Sequence, residues 1–139
     1  MRRYILDTHI LVWFLEKNER LPENIREDIE YQQHECFVSY LSLVEIDNLQ
    51  KLGKVEIKHD FKRIMSQLQE ANIEICFGSL QDLEILFNLD IKTTKEKVHG
   101  DYIDKTIIAT AIAQHYTCIS ADAKFRDYRE NGLSLIEVD

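Results

Sequence analysis

Five carboxylates in this chain, Asp7, Glu45, Asp101, Asp104 and Asp122, are spaced so that they could do chemistry together. Asp7 closes the apolar run that begins at Arg3, and Asp122 follows a second such run, Thr117 to Ser120. Glu45 lies near the first turns of a helical pattern from Tyr40 to Leu52, and Asp101 and Asp104 open another from Tyr102 to His115. A set of oxygen-only ligands suits Mg²⁺ or Mn²⁺ rather than zinc. One or two such ions turn water into a nucleophile and hold a phosphate diester for in-line attack. The chemistry these residue types imply is metal-assisted phosphodiester hydrolysis.

Each acid also has an ordinary explanation. Asp is a preferred helix N-cap, and a carboxylate in a first helical turn is favoured by the macrodipole. Asp101 and Asp104, as D-x-x-D at a helix start, fit a capping arrangement equally well. Glu45 is different, because Val44 and Ile46 beside it read as buried, and a buried carboxylate needs a proton, a partner or a cation. Taken together, carboxylates held about 4 Å apart repel by roughly 4 kcal/mol per pair at an effective dielectric of 20. A fold that gathers them calls for a cation.

The elements between the acids must bring them to one place. Arg3 to Asp7 reads as a buried strand and Thr8 to Lys17 as a helix that is apolar on most sides. Pro22 starts a second helix running to about Gln33. Glu35 to Ser39 is a short strand feeding the helix Tyr40 to Leu52, which Gly53 stops. Asp60 to Ala71 is amphipathic and leads into the strand Ile73 to Phe77. Ser79 and Asp82 form a capping box that opens a helix through Phe87. Asn88 to Gly100, rich in Lys and Thr, lacks apolar periodicity and reads as an exposed loop. Then follow the long helix, the strand Thr117 to Ser120, a short helix over Ala123 to Tyr128, and a last strand near Leu133 to Glu137.

This alternation predicts a three-layer α/β/α sandwich with a mostly parallel sheet of four to five strands. Right-handed crossovers place successive strand C-termini on one side, which is where ligands of such sheets bind. All five acids can converge there. A chain of 139 residues, 45% hydrophobic, is one domain's worth and buries roughly two-thirds of its unfolded surface, so residues 1–139 are expected to form a single domain. No apolar run reaches the roughly 20 residues of a membrane span. Three cysteines, Cys36, Cys76 and Cys118, sit in or beside strand-like runs, which fits reduced thiols and a cytoplasmic location.

The formal charge of −8 argues against a nucleic-acid partner, since affinity for phosphate comes from Lys and Arg. Setting the five acids aside as metal ligands leaves 20 acidic against 17 basic residues, a charge of −3. Charge therefore does not decide the partner.

The segments Tyr4-Ile-Leu-Asp7-Thr8-His9, Val38-Ser-Tyr-Leu-Ser-Leu-Val-Glu45-Ile, Leu52-Gly-Lys54, Asp101-Tyr-Ile-Asp104-Lys-Thr-Ile-Ile-Ala-Thr-Ala and Ile119-Ser-Ala-Asp122-Ala-Lys-Phe resemble the PIN-domain ribonucleases. Within these the chain is most similar to the VapC toxins of type II toxin–antitoxin systems. The resemblance spans nearly the whole chain in the family's motif order; Tyr102 stands where many members carry Pro. It implies a PIN-like fold and divalent-metal-dependent cleavage of RNA, giving a 5′-phosphate and a 3′-hydroxyl. Asp7, Glu45, Asp104 and Asp122 would then be the catalytic, metal-binding acids, with Asp101 an accessory ligand. Thr8 and Ser120 would orient them by hydroxyl hydrogen bonds. It also implies homodimers, and a cognate antitoxin whose tail covers the groove.

Lys105, Lys124 and Arg126 flank the acids as weaker candidates for contacts to RNA phosphates. His9, beside Asp7, reads as a helix-packed histidine rather than a general base, and Trp13 and Phe14 read as core. The five histidines show no metal-ligand spacing. A phosphatase with an aspartyl nucleophile at Asp7 would want a second acid where His9 stands. A catalytically silent PIN-fold module that binds RNA or protein is the non-enzymatic alternative.

Overall fold

Three central strands bury both of their faces, and this decides the layering. The computed structural model describes residues 1–55, 59–89, 93–94, 97–98 and 101–139. Along β1 (Arg3–Leu6), β2 (Glu35–Ser39) and β6 (Thr117–Ser120), alternate side chains point to opposite faces. Tyr4, Leu6, Cys36, Val38 and Ile119 enter one core, while Ile5, Phe37 and Cys118 enter the other. A strand apolar on both sides needs a cover on each, as in parallel sheets.

β3 (Ile73–Cys76) and β7 (Ser134–Glu137) flank these strands in a five-stranded sheet ordered β3-β2-β1-β6-β7, parallel throughout. The first core takes Ile10, Leu11 and Phe14 of α1 (Thr8–Glu16), Ile25 and Ile29 of α2 (Glu23–Glu30), Ile46 of α3 (Tyr40–Lys51), and Ile64 and Leu68 of α4 (Phe61–Glu70). The second takes Ile107, Ile108 and Ala111 of α6 (Tyr102–Gln114), with Ile85 of α5 (Leu80–Asn88) and Phe125 of the 3-10 helix Ala123–Asn131. The three-layer α/β/α reading holds, with five strands.

Strand order runs outward from β1 through β2 to β3, then returns to β6 on the other side of β1. The reversal makes the β1/β6 boundary the switch point of the sheet, where a crevice opens at the strand C-termini. Asp7 directly follows β1 and Asp122 lies two residues beyond β6.

Boundaries shift from the sequence reading; the 3-10 helix from Ala123 runs on to Asn131 rather than ending at Tyr128. The second helix ends at Glu30 rather than near Gln33: Tyr31 turns extended, its ring packs edge-on against His34, and His34 packs in turn on Tyr4. The expected loop Asn88 to Gly100 lies mostly outside the described residues, and within it β4 (Thr93–Thr94) and β5 (Lys97–Val98) pair antiparallel. That pairing is too short for periodicity to announce. Among the described residues no helix is long and apolar enough to cross a membrane.

Candidate active site

Asp7, Asp101 and Asp122 are each the N-cap of the helix that follows. Asp7 Oδ1 accepts from the Ile10 N–H at 2.9 Å, Asp101 Oδ1 from Ile103 and Asp104 N–H at 2.9 and 3.1 Å, and Asp122 Oδ1 from Lys124 N–H at 2.9 Å. Each cap uses one carboxylate oxygen. Capping is thus compatible with a second task, and the helix start fixes the rotamer with which the other oxygen is presented.

Ser120 joins two of these acids. Its hydroxyl donates a short hydrogen bond to Asp7 Oδ2 and accepts from the Asp122 N–H at 3.0 Å. Asp7 is only 4% exposed, and burial pushes its carboxyl above its ordinary pKa, against the hydrogen bonds from Ser120 and Ile10; the Asp122 charge adds to the rise. Asp104 belongs to the same neighbourhood: burial lifts the Cys118 thiol well above its usual value, and the Asp7 and Asp104 charges lift it further.

Glu45 arrives from the other layer. It is half-buried on α3, with Ile46 inside the core but Val44 46% exposed, so its neighbours are not both buried as the sequence suggested. A helix that packs through one face alternates burial on a period near 3.6, which leaves Val44 outside. Among the described residues no three His, Cys, Asp or Glu side chains stand close enough to hold an ion as they are. The acids share an edge without closing on one point. The fit to a divalent cation is therefore one of donor chemistry: all carboxylate and hydroxyl oxygens, with one capping oxygen each committed at Asp101 and Asp122 and both oxygens of Asp7 already accepting hydrogen bonds.

Other expected roles were redistributed. Thr8 does not bond an acid; its hydroxyl donates to Ser42 Oγ at 3.0 Å, both groups being buried. Arg126 is held on Glu137, Nε and Nη2 each 2.8 Å from Oε1, beside Arg129 at 3.0 Å from Oε2. Lys124 is exposed and Lys105 half-buried near the start of α6. His9 is exposed rather than packed, because it falls on the solvent side of α1, where its charge opposes the rise at Asp7. Phe14 is core and Trp13 packs partly buried against it. Sequence reading missed Ser42, and it missed a buried carboxylate at Asp82. Asp82 accepts from Thr110 Oγ1 at 2.8 Å, Gln114 Nε2 at 3.0 Å and Ser79 Oγ at 2.9 Å, tying α5 to α6. The capping box marked Asp82 as a cap partner and nothing local marked its second oxygen.

The model of the PIN domain matches residues 4–131. The chain belongs to the PIN domain family. Its fold is similar to that of a chain in VapBC2 from Rickettsia felis bound to a promoter DNA fragment (20% identity, TM-score 0.64, 99% of each chain covered). It is similar as well to a toxin–antitoxin complex from Klebsiella pneumoniae (15%, 0.63, 98% of each). VapBC-1 from nontypeable Haemophilus influenzae is a third (16%, 0.63, 97% of each). At these identities the likeness is one of fold. No curated protein sequence matches the chain. In this PIN domain the matched span contains all five acids, β6 and all of β1 but Arg3.

Proposed function

We propose that this PIN domain is a divalent-metal-dependent endoribonuclease and the toxin of a type II toxin–antitoxin pair. The observation that supports it most is the Asp7–Ser120–Asp122 linkage at the β1/β6 switch point. Asp7, Glu45, Asp104 and Asp122 would hold Mg²⁺ or Mn²⁺, and Asp101 would assist. A bound ion supplies Lewis-acid polarisation of a phosphoryl oxygen and lowers the pKa of water to form the nucleophile. The chain's part is to hold the acids in place: helix starts fix Asp101 and Asp122, while Ser120 fixes Asp7. Burial at Asp7 makes an uncompensated charge costly, which favours a cation there. Lys105 and Lys124 would meet RNA phosphates; Arg126 is already occupied by Glu137.

The antitoxin is assigned to an open apolar groove of about 1110 Å³ between α3, α4 and the β3 edge, where Val44, Phe61, Met65 and Phe77 form part of the lining. Phe61 and Phe77 are 77% and 75% exposed, a large apolar surface for one chain to leave in water. On α5, Leu80, Leu83 and Phe87 lie at helical spacing and are exposed, which supports a homodimer through that face.

The test is purified protein, free of antitoxin, incubated with a broad RNA set in Mg²⁺ or Mn²⁺. Wild type is expected to cleave, and Asp104→Asn and Asp122→Asn to lose about 100-fold or more. RNA left equally intact by wild type and variants overturns the nuclease reading. The silent RNA- or protein-binding module would then stand in its place.

A further inference from the structure

We infer that Ser42 is a positioning residue for this site: through Thr8 it sets the register of Glu45 against Asp7. The inference rests on the proposed metal site and adds a residue to it. Thr8 is the first residue of α1 and directly follows the cap Asp7; Ser42 is the third residue of α3 and stands one turn before Glu45. Their hydroxyls meet at 3.0 Å with Thr8 donating, at exposures of 2% and 0%. This one buried hydrogen bond links the first turn of α1 to the first turn of α3, across 34 residues of chain.

Helix geometry carries that link to the acids. Residues three apart lie on one face, so Ser42 and Glu45 face the same way, about 4.5 Å apart along the axis. Helical side chains lean toward the N-terminus of their own helix, so Glu45 reaches back over the turn that holds Ser42. Asp7 presents its carboxylate from a helix start that Thr8 shares. A sliding or rotation of α3 relative to α1 that moved Glu45 away from Asp7 would first have to break the Thr8–Ser42 bond. Apolar contacts between the helices supply adhesion without direction, whereas a buried hydroxyl pair selects one arrangement. Since the acids do not close on one point unaided, the register of α3 governs how far Glu45 must move to join an ion.

The experiment measures Mn²⁺ affinity by titration calorimetry and RNA cleavage for wild type, Ser42→Ala, Ser42→Thr, Glu45→Ala and the Ser42→Ala/Glu45→Ala pair, each with its melting temperature in chelator. Ser42→Ala is expected to weaken Mn²⁺ binding about tenfold, the usual scale for a group that orients a ligand. Ser42→Thr, which keeps the hydroxyl, is expected to restore it. With Glu45 already Ala, adding Ser42→Ala is expected to change affinity no further, although any loss of melting temperature persists. A purely structural Ser42 would weaken affinity equally in both backgrounds, and that result overturns the inference. So does unchanged Mn²⁺ affinity in Ser42→Ala while wild type binds and cleaves, an outcome that leaves the nuclease reading standing. A wild type that neither binds Mn²⁺ nor cleaves overturns both.

Discussion

Replacing Asp7 by Asn should make the metal-free protein more stable at neutral pH. Asp7 is almost fully buried, and its carboxylate accepts from the Ile10 N–H and the Ser120 hydroxyl. An Asn amide keeps both contacts: its oxygen accepts from Ile10, and its NH₂ donates to Ser120 Oγ. The charge is lost, and so is the acceptor of the Ser120 hydroxyl proton, since Ser120 Oγ already accepts from the Asp122 N–H; that offsets part of the gain. Because burial raises the carboxyl's pKa in the folded state above its value in the unfolded chain, the folded protein holds the proton more tightly. The stability this contributes is complete below the unfolded pKa and is lost as pH rises through the folded one. At pH 7 the wild type therefore carries the desolvation cost, about 1.4 kcal/mol for each unit of displacement. Asn removes it. A chain of this length gains about 3–5 °C in melting temperature per kcal/mol, so a rise of a few degrees in chelator is expected. The gain should shrink as pH falls through the raised folded-state pKa, below which the wild-type carboxyl is itself neutral. Adding Mn²⁺ should reverse the order by stabilising wild type more than the variant. Calorimetric melting at several pH values, with and without metal, makes the measurement. An Asn variant that is no more stable at pH 7 in chelator, or whose gain persists unchanged into acid, would refute the reasoning.

Thr110→Val removes one donor from the buried Asp82 carboxylate at nearly constant volume, and urea unfolding should show a loss of about 1–3 kcal/mol; a loss within error would mean that Gln114 and Ser79 satisfy Asp82 alone. Burial pushes the thiols of Cys36 and Cys76 up to about 12 and about 11, from 9.0. From pH 9 upward the unfolded chain releases protons that the folded one keeps, so stability should fall with pH by up to about 1.4 kcal/mol per unit for each thiol. Cys36→Ala should flatten the decline in melting temperature between pH 9 and 11, and an unchanged slope would remove Cys36 as a cause. Val44→Glu places a charge in the α3/α4 groove and, if the proposed antitoxin binds there, should weaken its binding at least tenfold by calorimetry with the proposed RNA cleavage retained; equal affinity would place the antitoxin elsewhere.

What could be read from the sequence was local. Ser79, Asp101 and Asp122 cap helices where the sequence offered them as caps, because a cap bonds an N–H two or three residues away. A mostly parallel sheet of four to five strands followed from the alternation of elements; the strand order did not. The Thr8–Ser42 bond and the Arg126–Glu137 pair were not legible, since each joins residues from separate elements whose side-chain directions depend on packing. Val44 misled for a related reason: an apolar residue beside a candidate ligand looks buried in sequence, yet α3 turned it into the groove. His9 did the same on α1, whose strongly apolar composition leaves little to mark its solvent side.

The double duty of the aspartates has a consequence for how such chains diverge. Asp101 and Asp122 each start a helix, so losing them would harm folding whatever the site does, whereas at Asp7 an Asn would keep the cap. A descendant in which the proposed cleavage was lost would still be under pressure to keep those two, and they would survive as witnesses to the fold alone. Glu45 starts no helix. Asp104 caps none either, so among relatives of this chain replacement at these two positions is the change that would accompany loss of the proposed activity first.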